Sequence, residues 1–338
     1  MSYHEHNLNP GIVGFGTHLP SNIVPNAELI EATGIISTPE KILELTGIRE
    51  RRWAKGSEYG PEIHATMGTL AAQAALASAG VAPQKVSGLY ASDIQGDYGT
   101  PDTAVLIHER LGLSEQCSAV KIGGACNGGA MATEIALEHT AHKGKPSLEV
   151  GISLMSRIAD TSDRKQIPLF GDGAAAFVID LHPAMPQFYT ASITRPDRSA
   201  IGQTHGNLLD MDGHKVRDYA REMIPAVIKS VADEAGIYDT GQRSVDFTKI
   251  SAIIPHPGNV RMGEMLRSLL KAPEEQFILS PAKTRGNTSA ASIGFGLEEG
   301  YRNGTLKYDR LEKVLLVGIG AGMVATAVVV GVYIHSPD

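Results

Sequence analysis

Ser118–Gly129 reads SAVKIGGACNGG. A short run carrying Ala119, Val120 and Ile122 leads into Gly123 and Gly124, then the thiol of Cys126, then more small residues. Ala130, Met131, Ala132, Ile135, Ala136 and Leu137 continue in a helical pattern. The stretch therefore predicts strand, turn and helix, with a cysteine at the helix N-terminus. The partial positive charge there favours thiolate over thiol. The same succession returns at Phe277–Ser292, FILSPAKTRGNTSAAS. Two more pairs keep the order: Val86–Ser92 (VSGLYAS) with Ile250–Pro255 (ISAIIP), and Ser147–Met155 (SLEVGISLM) with Lys313–Gly320 (KVLLVGIG). Helical patterns lie between, such as Thr69–Ala79, stopped by Gly80. Strands alternating with helices imply βαβ units and mainly parallel sheets. The repeated order predicts two copies of one unit, residues 1–185 and 186–338, joined near Pro183–Pro196.

The chain has 338 residues, enough for two average domains or one large duplicated one. Thirty Lys and Arg against 37 Asp and Glu give a net charge of −7, and no basic run offsets it. Nucleic acid is therefore not an expected partner. The opening MSYHEHNLNP is polar and lacks the apolar core of a signal peptide. Two cysteines, Cys117 and Cys126, make neither a disulfide framework nor a zinc cluster, and a reducing, cytoplasmic compartment is expected. The histidines other than His256 scatter without metal-ligand spacing, so no metal and no cofactor is expected. Leu315–Ile334 is twenty uncharged residues, a length that spans a bilayer. Its density of Val and Ile, broken by Gly318, Gly320 and Gly322, instead reads as two buried strands and a glycine turn.

Two further residues stand after apolar strand-like runs, as Cys126 does: His256 in IIPHPGN and Asn287 in RGNTSAAS. Catalytic groups of α/β folds collect at the C-terminal ends of strands. A nucleophile, a base and an amide donor point to acyl transfer. Each has a plainer reading. A cysteine among small residues packs in cores. A buried histidine can simply bond a carbonyl, and Asn before Thr-Ser is a helix-capping pattern. Asp172 in Gly171–Gly173 reads as a turn residue.

These motifs together resemble the β-ketoacyl-acyl carrier protein synthase III family of thiolase-fold condensing enzymes. The similarity runs through almost the whole chain: GIVGFGTHLP at Gly11–Pro20, TGIRER at Thr46–Arg51, FGDGAAA at Phe170–Ala176, PHPGN at Pro255–Asn259 and GNTSAAS at Gly286–Ser292. The resemblance implies a duplicated thiolase-like α/β fold, layered αβαβα with two mixed, mainly parallel sheets, and a homodimer. It implies that Cys126 carries the acyl group as a thioester. His256 and Asn287 would stabilise the enolate left when a malonyl-type thioester loses carbon dioxide. The amides of Cys126 and Ala321 would form the oxyanion hole. Acyl-CoA or acyl carrier protein would bring the thioester.

Departures from the family pattern concern the substrate. Where members that use acyl-CoA commonly place a Trp against the adenine, this chain has Lys41; a nearby basic position is Leu45, while the downstream arginine is kept as Arg164. Half of the nucleotide clamp is therefore missing. Thr100 and Ile319 stand where bulky gate residues are common, Asn127 follows the nucleophile, and Gly129 replaces a large apolar residue. Asn127, Thr100, Ile319, Arg164 and Asn259 form the expected substrate-binding set, and Thr100, Ile319 and Gly129 alter the acyl pocket. They predict room for a longer, branched, dicarboxylic or polyketide-type chain. Arg261 and Arg267 are the expected docking residues for an acidic carrier protein. The alternatives are a same-fold acyltransferase that makes no carbon–carbon bond, and an ordinary acetyl-CoA-primed initiating synthase.

Overall fold

The computed structural model describes residues 8–204 and 208–337, so most of the polar opening of the chain lies outside the described residues. Five strands form a first run: β1 (Asn9–His18), β2 (Gly88–Ser92), β3 (Ser118–Ile122), β4 (Ser147–Leu154) and β5 (Asp172–His182). Their spatial order is β1-β5-β4-β2-β3. Four more form a second: β6 (Tyr189–Thr194), β7 (Ala252–Pro255), β8 (Glu312–Gly320) and β9 (Val324–Val332). Their order is β6-β9-β8-β7, and Phe277 adds a single parallel bridge to Ile253 of β7. The directions repeat as well. In each run the first two pairings are antiparallel and the next two parallel. The runs meet at one parallel pairing, Ile12 with Val332. The expected duplicated α/β architecture is the one found, and the three pairs of segments matched in the sequence occupy equivalent places.

The helices that position the site are α1 (Ile63–Ala79), α2 (Thr103–Leu111), α3 (Gly128–Lys143), α4 (Gly213–Glu234), α5 (Val260–Leu270), α6 (Ser280–Arg285) and α7 (Ser292–Arg302). The middle layer is α3 and α7. The first touches β2 and β4 on one side and β8 and β9 on the other; the second touches β1, β5 and β7. Outside, α1 covers β1, β5 and β4, with α2 against it, and α4 covers β6 and β9. Each layer has its own apolar seam. Ala136 and Leu137 of α3 meet Leu297 of α7 and Val328 of β9 in the middle. Met223, Val227 and Val231 fill the outer seam under α4.

Strands buried on both faces read as continuous apolar runs. Leu315–Ile334 is such a case: it resolves into β8 and β9, paired antiparallel about a turn at Ala321–Met323. Among the described residues, no helix is long and apolar enough to cross a membrane. The strand before Cys126, β3, is an edge strand, with Val120 exposed. Lys121 on it is paired with Asp93 at 2.6 Å.

Candidate active site

Cys126 sits in a 3-10 turn, Ala125–Asn127, between β3 and α3. Ala125 is held at φ 50°, a left-handed conformation that costs a non-glycine residue about 1–3 kcal/mol and concentrates at functional sites. The end of β8 clamps this turn. A Cβ on Gly320 would come within 3.0 Å of the Gly124 carbonyl, and one on Gly318 within 3.0 Å of the Asn127 side chain. Glycine at these two positions lets the Ala321 turn close over the thiol. Burial pushes the Cys126 thiol above its ordinary pKa, while the Ser289 hydroxyl, its own amide and the Asn287 side chain pull it back. Among these influences burial is the largest.

His256 directly follows β7, its amide donating to the Val317 carbonyl of β8 at 2.6 Å. Its ring is buried, with Nδ1 3.0 Å from Ser292 Oγ. Burial lowers its pKa to about 4, and a hydrogen bond to the Ser289 backbone opposes this only in part. The ring is therefore neutral at pH 7.

Asn287 lies in the loop between α6 and a second 3-10 turn, Ser289–Ala291. Its Oδ1 accepts from the Ser289 amide at 2.8 Å, a local turn bond rather than the expected helix cap, since Thr288 and Ala291 hold the two cap positions. Its amide donates to Leu169 O at 2.7 Å, and Gly171 N donates to Asn287 O at 3.0 Å. Here the remaining motifs find their use. Arg51 of TGIRER is fully buried and donates to Pro168 O at 2.9 Å and Asn26 Oδ1 at 2.7 Å. Asp172 of FGDGAAA accepts from Ala54 N at 2.8 Å and Ser156 N at 3.0 Å, a structural bracket whose pKa burial raises to about 6. Both motifs fix the segment that holds Asn287.

Cys126, His256 and Asn287 line one cavity of about 430 Å³ together with Ile319 and Ala321. Much of its wall is methionine: Met155, Met211, Met262, Met265 and Met323. Such side chains adapt to irregular apolar guests. Arg261 and Leu45 stand at its mouth. Arg261 is half exposed and donates to Glu44 O at 2.9 Å. Asn259 also touches the cavity, but its side chain caps α5 by accepting from Met262 N at 2.8 Å.

Other candidates lie elsewhere. Asn127 is wholly buried and spends both ends of its amide on Thr326, at 3.0 and 3.1 Å, so it anchors β9 instead of meeting substrate. Thr100 is exposed on a loop and Arg164 is exposed; neither lines the cavity. Arg267 turns to the Ala272 carbonyl beyond the end of α5. Gly129 makes no room for an acyl chain; a Cβ there would come within 3.0 Å of the Ala290 carbonyl, so it sets how closely two turns approach. Arg217 at the cavity wall and the methionines carry no motif that would mark them in the sequence. Ser289 and Ser292 stand within GNTSAAS, and only the fold shows their proximity to Cys126 and His256.

Comparison with known proteins yields consistent matches. The family model described as 3-oxoacyl-[acyl-carrier-protein (ACP)] synthase III matches residues 121–193, and its C-terminal counterpart matches residues 241–332. A β-ketoacyl-[acyl-carrier-protein] synthase III of Coxiella burnetii (strain RSA 331) is 30% identical, covering 92% of this chain and 96% of that protein. An acetoacetyl CoA synthase of Streptomyces sp. (strain CL190) is 31% identical over 93% and 96%. The crystal structure of 3-oxoacyl-[acyl-carrier-protein] synthase III from Aquifex aeolicus VF5 superposes with a TM-score of 0.85 at 28% identity, covering 95% of this chain and 99% of that one.

Proposed function

Given that the chain belongs to the β-ketoacyl-acyl carrier protein synthase III family, we propose that it loads an acyl group on Cys126 and condenses it with a malonyl-type thioester. The observation that carries this is the convergence of Cys126, His256 and Asn287 on one apolar cavity, beside a turn that brings Ala321 to the thiol. Cys126 Sγ attacks the acyl thioester carbonyl and the carrier thiol leaves. The amides of Cys126 and Ala321 receive the oxyanion. A malonyl-type thioester then enters, and its carbonyl oxygen meets His256 Nε2–H and Asn287 Nδ2–H. Loss of carbon dioxide leaves an enolate on that oxygen, and a preorganised donor contributes about 2.7–4 kcal/mol to such a step. The enolate carbon attacks the acyl-Cys126 carbonyl; the new carbon–carbon bond forms as the Cys126 thioester breaks. A neutral His256 suits this role, since it donates a hydrogen bond without giving up its proton to the enolate oxygen.

The residues from 1–185 would supply the nucleophile and those from 186–338 the enolate-holding pair. Two copies would associate along the exposed edge strand β3. Carrier-protein delivery is favoured over free CoA. Lys41, paired with Glu44 at 3.0 Å on the surface, and the exposed Leu45 leave half of the nucleotide clamp without its usual residues, and Arg261 at the mouth would meet an acidic carrier. The methionine-lined volume favours a chain longer than acetyl, in fatty-acid-like or polyketide metabolism. The test is a panel of acyl-CoA and acyl-carrier donors scored by intact mass on Cys126. Medium or branched chains should load with higher kcat/KM than acetyl-CoA, and Arg261→Glu should weaken only carrier-borne donors. Preference for acetyl-CoA with no effect of Arg261→Glu would defeat the substrate assignment.

A further inference from the structure

Next to the acyl cavity lies a second cavity of about 10 Å³. Ile94 and Met155 line both and form the partition. The polar walls of the small one are His64, Gln95, Ser153 and Ser289. A space of about 10–15 Å³ with two to four polar partners holds a single water.

Ser289 is unusual for a residue with a packing role alone. It is 1% exposed and sits at φ 45°, and the Cys126 thiol is the one group its hydroxyl acts on among the described residues. A left-handed serine is costly. Its 3-10 turn is the duplicate of the turn bearing Cys126, and the two touch. The Ser289 hydroxyl reaches the thiol closely enough to favour its charged form.

On the other wall, His64 is buried at the start of α1 with Nδ1 3.0 Å from Asp97 Oδ1. Asp97 also accepts from His64 N at 2.9 Å and Ala65 N at 2.8 Å. Burial pushes the Asp97 carboxyl up, but the bond from the His64 ring and those from the two amides outweigh it and hold the carboxyl below its ordinary value. A carboxylate so fixed orients the ring by accepting from its Nδ1–H. It leaves Nε2 as the ring's acceptor.

We propose that Ser289, one bridging water and the His64–Asp97 pair form a proton-accepting relay for the Cys126 thiol; the proposal rests on Cys126 being the acyl-accepting nucleophile. As Sγ bonds to the acyl carbon, the thiol proton passes to the Ser289 oxygen, the Ser289 proton to the water, and a water proton to His64 Nε2. The bond from the acyl carbon to the carrier sulfur breaks, and the departing thiolate takes a proton from solvent in the open cavity. The imidazolium returns one to solvent by way of the small cavity, so charge balances. Ser289 touches the reacting sulfur; His64 and Asp97 act through it as positioning residues. The charged groups around His64 are Asp97 on its own loop, Asp172 at the start of β5, the Glu62–Arg110 pair at the outer end of α1, and the Asp93–Lys121 pair beyond Asp97.

The test is the rate of Cys126 alkylation by iodoacetamide against pH, read by peptide mass so that Cys117 is scored separately. Ser289→Ala and His64→Gln should each move the midpoint up by about one pH unit and slow alkylation at pH 7 about tenfold, because thiolate fraction changes tenfold per unit below the pKa. Asp97→Asn should shift the profile the same way; because its NH2 replaces one of the two oxygens that accept from His64 and Ala65, its melting temperature should fall, and the profile is read well below that temperature so that the relay is separated from misfolding. Midpoints within about 0.2 unit of the parent in all three folded variants overturn the relay. A shift in His64→Gln with none in Ser289→Ala overturns the place of Ser289. If the shifts occur but no thioester ever acylates Cys126, the proton path stands and the acyl-transfer reading falls.

Discussion

Replacing Asn287 by Asp isolates the enolate-stabilising role. Asn287 uses Oδ1 to accept from Ser289 N at 2.8 Å, and its backbone is tied to Leu169 and Gly171. Aspartate keeps the shape, the acceptor and the backbone bonds, and removes the N–H donors that would face the malonyl oxygen. Losing one preorganised donor costs about 2.7–4 kcal/mol, or about 10²–10³ in the rate of decarboxylation. Loading depends on Asn287 more weakly. Its side chain helps hold down the Cys126 pKa, so a carboxylate there slows thiolate formation, about tenfold for each unit of rise. The acyl-enzyme should therefore form slowly yet reach completion, while carbon dioxide release from a malonyl thioester collapses. Intact mass follows the first step and labelled carbon dioxide the second. A variant that loads and decarboxylates at the parent rates would refute the assignment of Asn287.

Gly129→Ala should lower stability by about 1–3 kcal/mol through overpacking against the Ala290 carbonyl, with donor preference unchanged; a stable variant with a new chain-length preference would contradict this. His256 gives a signed pH effect. Its folded pKa of about 4 lies below the ordinary 6.5, so the unfolded chain binds more protons between those values. Its contribution is full above pH 6.5 and is lost as pH falls towards 4, by about 3 kcal/mol in all. Urea unfolding from pH 7 to 4 should lose this slope in His256→Asn, and decarboxylation should show no acid limb near 6.5. Sedimentation at micromolar concentration should give a dimer, which Val120→Asp on the exposed edge strand weakens; a monomeric parent protein would remove the dimer from the account.

Much of the fold was legible because the repeat wrote it twice. Strand, turn and small-residue helix recur at Cys126 and at Asn287, and the run from Leu315 betrayed its two strands through Val, Ile and glycine. Cys126, His256 and Asn287, which line one cavity, were legible as a set because each stands in a motif at a strand end. What stayed hidden depends on which way a side chain points. Asn127 follows the cysteine yet faces Thr326 of β9, and Gly129 looks like vacated space but marks a backbone approach. Met155, Met211 and Met323 come from three distant segments and meet only when the sheet is folded. The upward push on the Cys126 pKa also escaped the sequence, since its largest cause is burial in the folded chain.

The central claim is that a carbon–carbon bond forms at the expense of a carboxylate, with the acyl group waiting on Cys126. The direct measurement follows an acyl-Cys126 protein, prepared and freed of donor, after addition of isotopically labelled malonyl carrier protein. The account predicts that acyl mass leaves Cys126 as carbon dioxide is released in equal amount, and that the carrier returns as a β-ketoacyl thioester two carbons longer than the donor. Departure of the acyl group to a hydroxyl, amine or thiol, with the malonyl unit intact, would contradict it.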